Sequence, residues 1–349
     1  MAIFLILLEA AACGRAVPPS RPAPYGILYY RERSAPPNQW SRVDWSGHLL
    51  AAIQVPSGFQ PSPDGSRLLI EGSADFTVLD KTGRPIAGPF ESGIVRDVAW
   101  SSEGAHICAI DDVPEWGSQL HSLRVGYAGT GLVDVMNIDA TSAEPGLAAC
   151  SVERNRVVTV DTVHEHDQLL HPSHTWVASR VRVVDIQSRA IVFERHYPVG
   201  DPKTEVIARA SLQAGTLAEV RASGTTIVDI PSGATLGTFA GWTGLGLSAN
   251  GALIALRREV AGGTATRGSR MWESRVAAVS TGATIWSSIG PYVLQATVPN
   301  PTQGDSLMLA GTGGGLSDLI VVDGDGSSHV LAKDVFYLPP CPCFGRSAG

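Results

Sequence analysis

Short apolar segments alternate with turn residues along most of the chain. In FQPSPDGSRLLIEG, Phe59 to Gly72, the pair Asp64-Gly65 is a turn signal and Leu68 to Ile70 has the pattern of a strand. The residues around Phe59 form the preceding strand, so the stretch predicts one antiparallel hairpin. Helix signals are few, and the pattern therefore predicts an all-β protein.

This first hairpin pattern recurs along the chain. The clearer copies are VAWSSEGAHICAI (Val98 to Ile110), LGLSANGALIAL (Leu245 to Leu256) and PTQGDSLMLAG near Gly304; degenerate copies are CSVERNRVVTV from Cys150 and SLQAGTLAEV from Ser211. With the stretch at Phe59, the pattern occurs six times.

A second hairpin pattern alternates with the first. It is an apolar strand that ends near an Asp, followed by a short polar turn and another strand. Its anchor residues are Asp44, Asp80, Asp139, Asp185, Asp229, Ser280 and Asp323. Successive anchors are 36 to 59 positions apart, which is typical of propeller blades with four strands each.

Seven copies of the second pattern and six of the first leave one blade a strand short. We expect the segment Asp334 to Pro339 to supply that strand by pairing with Ile27 to Glu32. The ring would close in this way without free sheet edges. The prediction is a seven-bladed β-propeller of four-stranded antiparallel blades over residues 26–338, with the first hairpin as the turn between the inner two strands.

The SPDG motif resembles the repeat of TolB-like propellers, within the WD40-like group. The resemblance covers nearly all of residues 26–338, and it implies the fold rather than a function, because such propellers host hydrolases, transport partners and pure binding modules. We interpret the Asp and Gly residues of the motif as turn formers and assign them no catalytic role.

The N-terminal segment suggests export. Residues 1–13 contain a short apolar run, and Ala10-Ala11-Ala12-Cys13 resembles the lipobox of bacterial lipoproteins, which implies lipidation at Cys13. The resemblance is incomplete, since no Lys or Arg precedes the run and Glu9 interrupts it. A Pro-rich tether follows over residues 14–25, and residues 339–349 form a C-terminal tail.

The remaining cysteines have two interpretations. An exported chain could form disulfides, but Cys108 and Cys150 lie in apolar strands and are expected to be small core residues. Cys341 and Cys343 form a Cys-x-Cys pair, which is a weak metal signal without further ligands.

The net charge of −7 argues against a nucleic-acid partner, which requires a basic field. No nucleophile elbow, phosphate loop or zinc-protease motif occurs in the sequence, and this favours a binding protein over an enzyme.

The longest connections are predicted between the second and third strands of their blades, at 111–122, 162–175 and 257–273, and so on one face. They carry the candidate partner-binding residues Asp111, Asp112, Glu115, Trp116, Arg258, Arg267, Arg270 and Trp272. The alternative is ordinary solvated surface charge.

A His-rich stretch lies in the second of these loops. His164, His166, His171 and His174 are a candidate site for a divalent metal ion. A solvated loop is the alternative that we favour, and no other cofactor is expected.

Taken together, these features predict a monomeric, non-catalytic binding or scaffolding propeller of the bacterial envelope. It would recognise a protein, peptide or glycan and would contact the membrane only through a lipid anchor. Two alternatives stay open: a propeller enzyme (lactonase, lyase or glycan-acting) that uses the channel mouth, and a cytoplasmic interaction propeller.

Overall fold

The computed structural model describes residues 26–337 apart from 57, 72–74, 92–93, 113–119, 128–130, 140–143, 164–176, 200–205, 213, 261–270, 301–302 and 314–315. Within these residues the fold is all-β and antiparallel. Cys13, Cys341 and Cys343, the Pro-rich tether and the C-terminal tail lie outside the described residues.

Five sheets have four strands each, in chain order. They are β4 (Phe59–Pro61), β5 (Arg67–Glu71), β6 (Asp75–Asp80) and β7 (Pro85–Glu91); β8 (Ile94–Trp100), β9 (His106–Asp112), β10 (Leu120–Tyr127) and β11 (Gly131–Asp139); β12 (Glu144–Ser151), β13 (Arg156–Val163), β14 (Val177–Asp185) and β15 (Ala190–His196); β16 (Ile207–Ser211), β17 (Thr216–Arg221), β18 (Gly224–Asp229) and β19 (Thr235–Ala240); β20 (Thr243–Leu247), β21 (Leu253–Glu259), β22 (Trp272–Ala278) and β23 (Thr284–Gly290).

A sixth sheet has seven strands in the order β24-β25-β26-β27-β1-β2-β3. Its members are β1 (Ile27–Glu32), β2 (Gln39–Asp44), β3 (Leu49–Gln54), β24 (Val293–Pro299), β25 (Leu307–Gly313), β26 (Leu316–Val322) and β27 (Ser328–Tyr337). The predicted closure is confirmed, because Tyr30 pairs with Tyr337 and Glu32 pairs with Val335.

The closing strand is the end of β27 rather than a separate element. β27 also pairs with β26, and the two pairings meet near Asp334, whose φ of 53° bends the strand. One strand therefore ends one group of four and begins the next. The separate sheets in the described part number six, and the count of seven blades depends on dividing this sheet at β27.

The core consists of apolar clusters between successive groups of strands. Leu69 and Phe76 of one sheet pack against Val98 and Ile107 of the next, and Leu28 and Val43 pack against Met308 across the closing sheet. Each sheet is thus covered on both faces, which explains why its inner strands are apolar at nearly every position.

The six first-hairpin turns all lie between the first and second strands of their groups, as predicted. One anchor of the second pattern is wrong. Asp139 ends β11, a fourth strand, whereas the other anchors follow third strands. The turn between β10 and β11 contains no Asp. The segment Asn137-Ile138-Asp139 at the end of β11 instead has the pattern of an apolar strand that ends in Asp, which explains the error.

The expectation for Cys108 and Cys150 is also wrong in part. Both are buried in one cluster, but they form a disulfide between β9 and β12, with their Cα atoms 6.4 Å apart. That distance lies in the usual range for a disulfide. The bond joins two neighbouring sheets.

Candidate functional site at one end of the propeller

Connections leave the strands at two opposite ends. The turn end contains the links between first and second strands and between third and fourth strands, at 62–66, 101–105, 152–155, 212–215, 248–252 and 300–306, and at 45–48, 81–84, 128–130, 186–189, 230–234, 279–283 and 323–327. The loop end contains the links between second and third strands, at 33–38, 72–74, 113–119, 164–176, 222–223, 260–271 and 314–315, together with the links between successive groups.

At the turn end, carboxylates cap their own turns. Asp80 accepts hydrogen bonds from the backbone N–H of Thr82 at 2.7 Å and of Arg84 at 3.0 Å. Asp44 accepts equivalent bonds from Ser46 and His48, each at 2.9 Å. The hydrogen bond from the Thr82 hydroxyl is the largest cause that lowers the pKa of Asp80 below its ordinary value. Asp44 and Asp80 therefore stabilise their own turns, as Asp residues commonly do.

The loop end carries charged pairs of a different kind. Each of the three longest connections between second and third strands begins and ends in strands that are joined by a contact between a carboxylate and a basic side chain. We call these the stem pairs: Asp112 with His121, Asp161 with Arg180, and Arg258 with Glu273. In every case the two residues are also direct partners in the strand register.

The stem pairs are close. Asp112 Oδ1 lies 2.9 Å from His121 Nδ1 at the base of 113–119, and Arg180 Nε donates to Asp161 Oδ2 over 2.6 Å at the base of 164–176. Arg258 Nε donates to Glu273 Oε2 over 2.7 Å at the base of 260–271. The short link 222–223 has no stem pair of this kind, because Arg221 is opposite Gly224, which has no side chain.

The two neighbouring aspartates of β9 have different partners on β10. Asp111 is buried, and its Oδ2 lies 2.8 Å from Arg124 Nη1. Its Oδ1 is buried without a hydrogen-bond partner. Burial raises the pKa of Asp111 in spite of Arg124. Asp111 and Asp112 are therefore held by separate basic residues, while the negative charge of Asp112 adds to the rise in the pKa of Asp111.

Arg258 and Trp272 lie in the sheet β20–β23. The exposed Arg258 guanidinium lies 4.3 Å from the ring centroid of Trp242, and Arg257 lies 5.7 Å from that of Trp272. Among the described residues, the structure does not bring these two residues together with Asp111 and Asp112. Glu115, Trp116, Arg267 and Arg270 lie outside the described residues, as do His164, His166, His171 and His174.

Sequence reasoning missed the buried charges between sheets. Asp161 accepts hydrogen bonds from Arg180 and Arg182. Asp161 and Arg182 are buried, whereas Arg180 is partly exposed. Glu219 is buried and accepts hydrogen bonds from Tyr197 at 2.9 Å, from Arg221 at 2.9 Å and from Arg195.

Burial alone would raise the pKa of Glu219. Hydrogen bonds from Arg195 and Tyr197 and the positive charges of Arg195 and Arg221 outweigh it, so that the pKa is lowered. Arg195 and Tyr197 belong to the preceding group of strands, so this cluster joins two groups near the loop end. The only sequence signal was a charged residue alternating with aliphatics, which is also the pattern of a half-exposed strand.

The described residues contain neither a cluster of metal ligands nor a membrane-spanning helix. No three His, Cys, Asp or Glu side chains in this part of the chain are placed to hold a metal ion. None of the residues described forms a helix long and apolar enough to cross a bilayer.

Comparisons with known proteins give a likeness in fold only. No protein-family profile matches the chain, and no curated protein sequence matches it. Among solved structures, the chain is similar to the crystal structure of TolB from Acinetobacter baumannii. The identity is 13%, the alignment covers 90% of this chain and 82% of that one, and the TM-score is 0.39.

Proposed function

We propose that the protein is a non-catalytic binding propeller of the bacterial cell envelope and that it recognises a protein, peptide or glycan at its loop end. The observation that supports this is the stem pairs. The longest links between second and third strands all lie at one end, and each is anchored by a carboxylate in contact with a basic side chain directly opposite in the register.

An anchored stem favours binding for a physical reason. A loop on a free hairpin loses more conformational entropy when it meets a partner than a loop whose base is already fixed. The stem pairs restrict both strands where the loop begins, while the loop itself stays free to vary. What distinguishes the loop end is that all three of its longest loops have such a pair; one pair in register, Arg156 with Asp185, also occurs at the turn end.

Site-specific photo-crosslinking tests the proposed surface. A photoreactive amino acid in place of the exposed Ile289, which lies opposite Glu273 in the register, would crosslink to the partner in an envelope fraction, whereas the same group at the exposed Lys81 of the turn end would not. The crosslinked species is then identified by mass spectrometry and its binding measured with purified components. Crosslinking from position 81 and not from position 289 would place recognition at the opposite end.

Replacing residues 261–270 by a short Gly-Ser turn refines the same test. The change leaves the Arg258–Glu273 stem pair intact, and long insertions contribute little to stability. We expect an unchanged unfolding transition and weaker binding of the identified partner. Replacing the exposed turn-end residues 81–82 by Gly-Ser is the matched control and should leave binding unchanged.

We further propose export and lipidation at Cys13. The disulfide between Cys108 and Cys150 supports an oxidising compartment and speaks against the cytoplasmic alternative. Cys13→Ser, expressed with its natural upstream sequence, should release the protein from the membrane fraction. Retention of this variant at the membrane would contradict lipidation at that residue.

The enzyme alternative has weaker support. It requires charged groups that converge from several groups of strands on the channel mouth. In the described part of the chain, the charged residues at the loop end are instead paired in separate interfaces, as at Asp161 and Glu219.

A further inference from the structure

Large apolar side chains are exposed at one repeated position of the fold. Eight of the eleven exposed large hydrophobic residues in the described part of the chain lie within the first three positions of a fourth strand, directly after a turn of the turn end. We call these residues the aliphatic ring. They are Leu49 and Leu50 of β3, Ile86 of β7, Val133 of β11, Ile191 and Val192 of β15, Leu236 of β19 and Val330 of β27.

The aliphatic ring follows the repeat of the propeller. It has members in six of the seven groups of strands, with β27 counted as the fourth strand of its group. In the group β20–β23 the corresponding residue is also aliphatic, but Ile285 is half-buried, because it packs against the apolar cluster between this group and the next. The other exposed hydrophobic residues, Val199, Ile289 and Tyr292, lie towards the loop end.

The fold itself does not require aliphatic side chains at these positions. Leu49 is 71% exposed and Val133 is 64% exposed, so neither contributes much to the core. Threonine has a high β propensity and suits an exposed strand equally well, as Thr235 and Thr284 do at the first positions of β19 and β23. Single exposed hydrophobic residues are normal on a protein surface, but their repetition at one position in six groups is not a random scatter.

The arrangement of the ring fits a flat surface. Fourth strands are the outermost strands of their groups, and their first residues all lie at the turn end. Because the groups surround one axis, the ring members lie around the rim of that end at a similar level. A flat apolar surface can contact all of them at once, whereas a convex protein would contact only one side of the ring. A lipid bilayer is a flat surface of this kind.

The chain also enters the described fold at the turn end. Ile27, the first residue of β1, donates its backbone N–H to the carbonyl oxygen of Asp64 in the turn 62–66. It pairs in the register with Asp44, which precedes the turn 45–48. Twelve residues, 14–25, separate Cys13 from Gly26, and twelve extended residues reach at most about 45 Å. A lipid on Cys13 would therefore keep the turn end within this distance of the bilayer.

We propose that the aliphatic ring is a membrane-contact surface, through which the turn end lies against the lipid bilayer while the loop end faces away from it. Exposed aliphatic side chains bind a bilayer by burying apolar area at the interface, without spanning it. The ring is distinct from the partner surface at the loop end and leaves that surface free. Lipidation at Cys13 would favour the contact but is not required for it.

Vesicle flotation of the unlipidated chain tests this surface. Full-length Cys13→Ser protein is purified, mixed with an excess of phosphatidylcholine vesicles and separated on a density gradient. We expect part of the protein to float with the vesicles, and high salt should not reduce this part, because salt screens charge pairs but does not weaken apolar contacts. Contact through the ring alone is reversible, so the same protein should wash off a membrane fraction from cells.

Substitutions in the Cys13→Ser background locate the contact. Val330→Ser should weaken vesicle binding about fivefold, and Leu49→Ser, which removes a larger and more exposed side chain, should weaken it further. Val199→Ser is the matched control and should bind vesicles as its parent does, because Val199 is 46% exposed in a link at the loop end and Val330 is 48% exposed in the ring. All three side chains are exposed, so the variants should unfold as the parent does.

Several results would overturn the membrane-contact surface. The parent protein could fail to float, Val330→Ser and Val199→Ser could lose equal affinity, or high salt could release the protein, which would indicate binding through charge. Self-association without vesicles, measured by sedimentation velocity and abolished by Leu49→Ser, would identify a second copy of the chain as the occupant instead. None of these results depends on lipidation or on crosslinking at the loop end, so each proposal is tested separately.

Discussion

Carboxylates have different partners at the two ends of the propeller. At the turn end, Asp44 and Asp80 accept hydrogen bonds from residues two to four positions away, within one turn. At the loop end, Asp161 accepts hydrogen bonds from arginines of a neighbouring strand, and Glu219 accepts from Arg195 and Tyr197 of another group as well as from Arg221 of its own strand. The carboxylates that cap turns therefore act within one turn, whereas these two buried carboxylates depend on the assembled sheets.

This difference has an energetic consequence. When a turn carboxylate is replaced, the backbone groups that it bonded can bond to water instead. The free energy of unfolding therefore falls only by about the net contribution of one hydrogen bond. A buried carboxylate that is removed leaves its arginines buried and unpaired. The loop end is consequently the more sensitive of the two ends to the loss of a single charge.

The largest effect is expected at Glu219. Glu219→Ala leaves Arg195, Tyr197 and Arg221 without their common acceptor, and it should lower the free energy of unfolding by about 3–5 kcal/mol. Urea unfolding measures the change. Glu273→Ala breaks a more exposed pair and is the control, with an expected loss of about 1 kcal/mol or less. Equal losses in the two variants would mean that burial is not the deciding factor.

Gly65 gives the next largest effect, at the turn end. Its φ of +66° is left-handed, and an added Cβ would lie 2.2 Å from the carbonyl oxygen of Ile27 in the neighbouring group. Gly65→Ala should therefore cost roughly 2–4 kcal/mol, from the backbone conformation and from overpacking together.

Gly282→Ala separates these two contributions. Gly282 has a φ of +69° but no atom within 4 Å of an added Cβ. This variant should lose only about 1 kcal/mol in the same thermal or urea measurement. If Gly65→Ala costs no more than Gly282→Ala, the contact of the SPDG turn with Ile27 contributes nothing.

A smaller effect is expected at a stem pair. Glu273→Gln removes the charge opposite Arg258 at the base of 260–271 and should cost less than about 1 kcal/mol. Hydrogen exchange at Arg258 and Glu259 should nevertheless become faster, because the stem opens locally more often. Exchange that is as slow as in the wild type would show that the pair does not anchor the stem.

The smallest effects are in the pH dependence, where the two ends have opposite signs. The pKa of Asp80 is below its ordinary value of 3.8, so its contribution to stability is present above pH 3.8 and is lost as the pH falls through the folded pKa. The pKa of Asp111 is above 3.8, so its contribution is complete below pH 3.8 and is lost as the pH rises through the folded pKa.

Two variants measure these signs against the wild type. On acidification from pH 7 towards pH 4 and below, the stability advantage of the wild type over Asp80→Asn should shrink. Over the same range, the stability of the wild type relative to Asp111→Asn should increase. Parallel curves for the wild type and Asp111→Asn would contradict the raised pKa.

The turn end was largely predictable from sequence because its signals are local. Asp64-Gly65 and its copies mark turns by their own conformational preferences, and the structure has them between first and second strands. The same locality caused the error at Asp139. An apolar strand that ends in Asp has the same pattern whether it is the third or the fourth of its group.

The contacts at the loop end could not be predicted, because they join residues that are distant in sequence. In V-R-V-V at Arg182, a charged residue between valines is typical of a strand with one face in water. Both faces of these sheets pack against neighbours, so Arg182 points into an interface and meets Asp161. The disulfide was not predicted for the same reason, because the pairing of Cys108 with Cys150 depends on how two sheets pack against each other.

The shared strand β27 also affects the order in which the protein folds. Each four-stranded sheet is built from neighbours in sequence and is available for early folding, whereas the pairing of Tyr30 with Tyr337 joins residues roughly 300 positions apart. Contacts of such long range form late, since the entropy of closing the loop opposes them. Until β27 is in place, β1 presents an open edge to other chains. The interval before closure is therefore the stage at which this protein is most exposed to aggregation, and a chaperone that protects β1 would act at that stage.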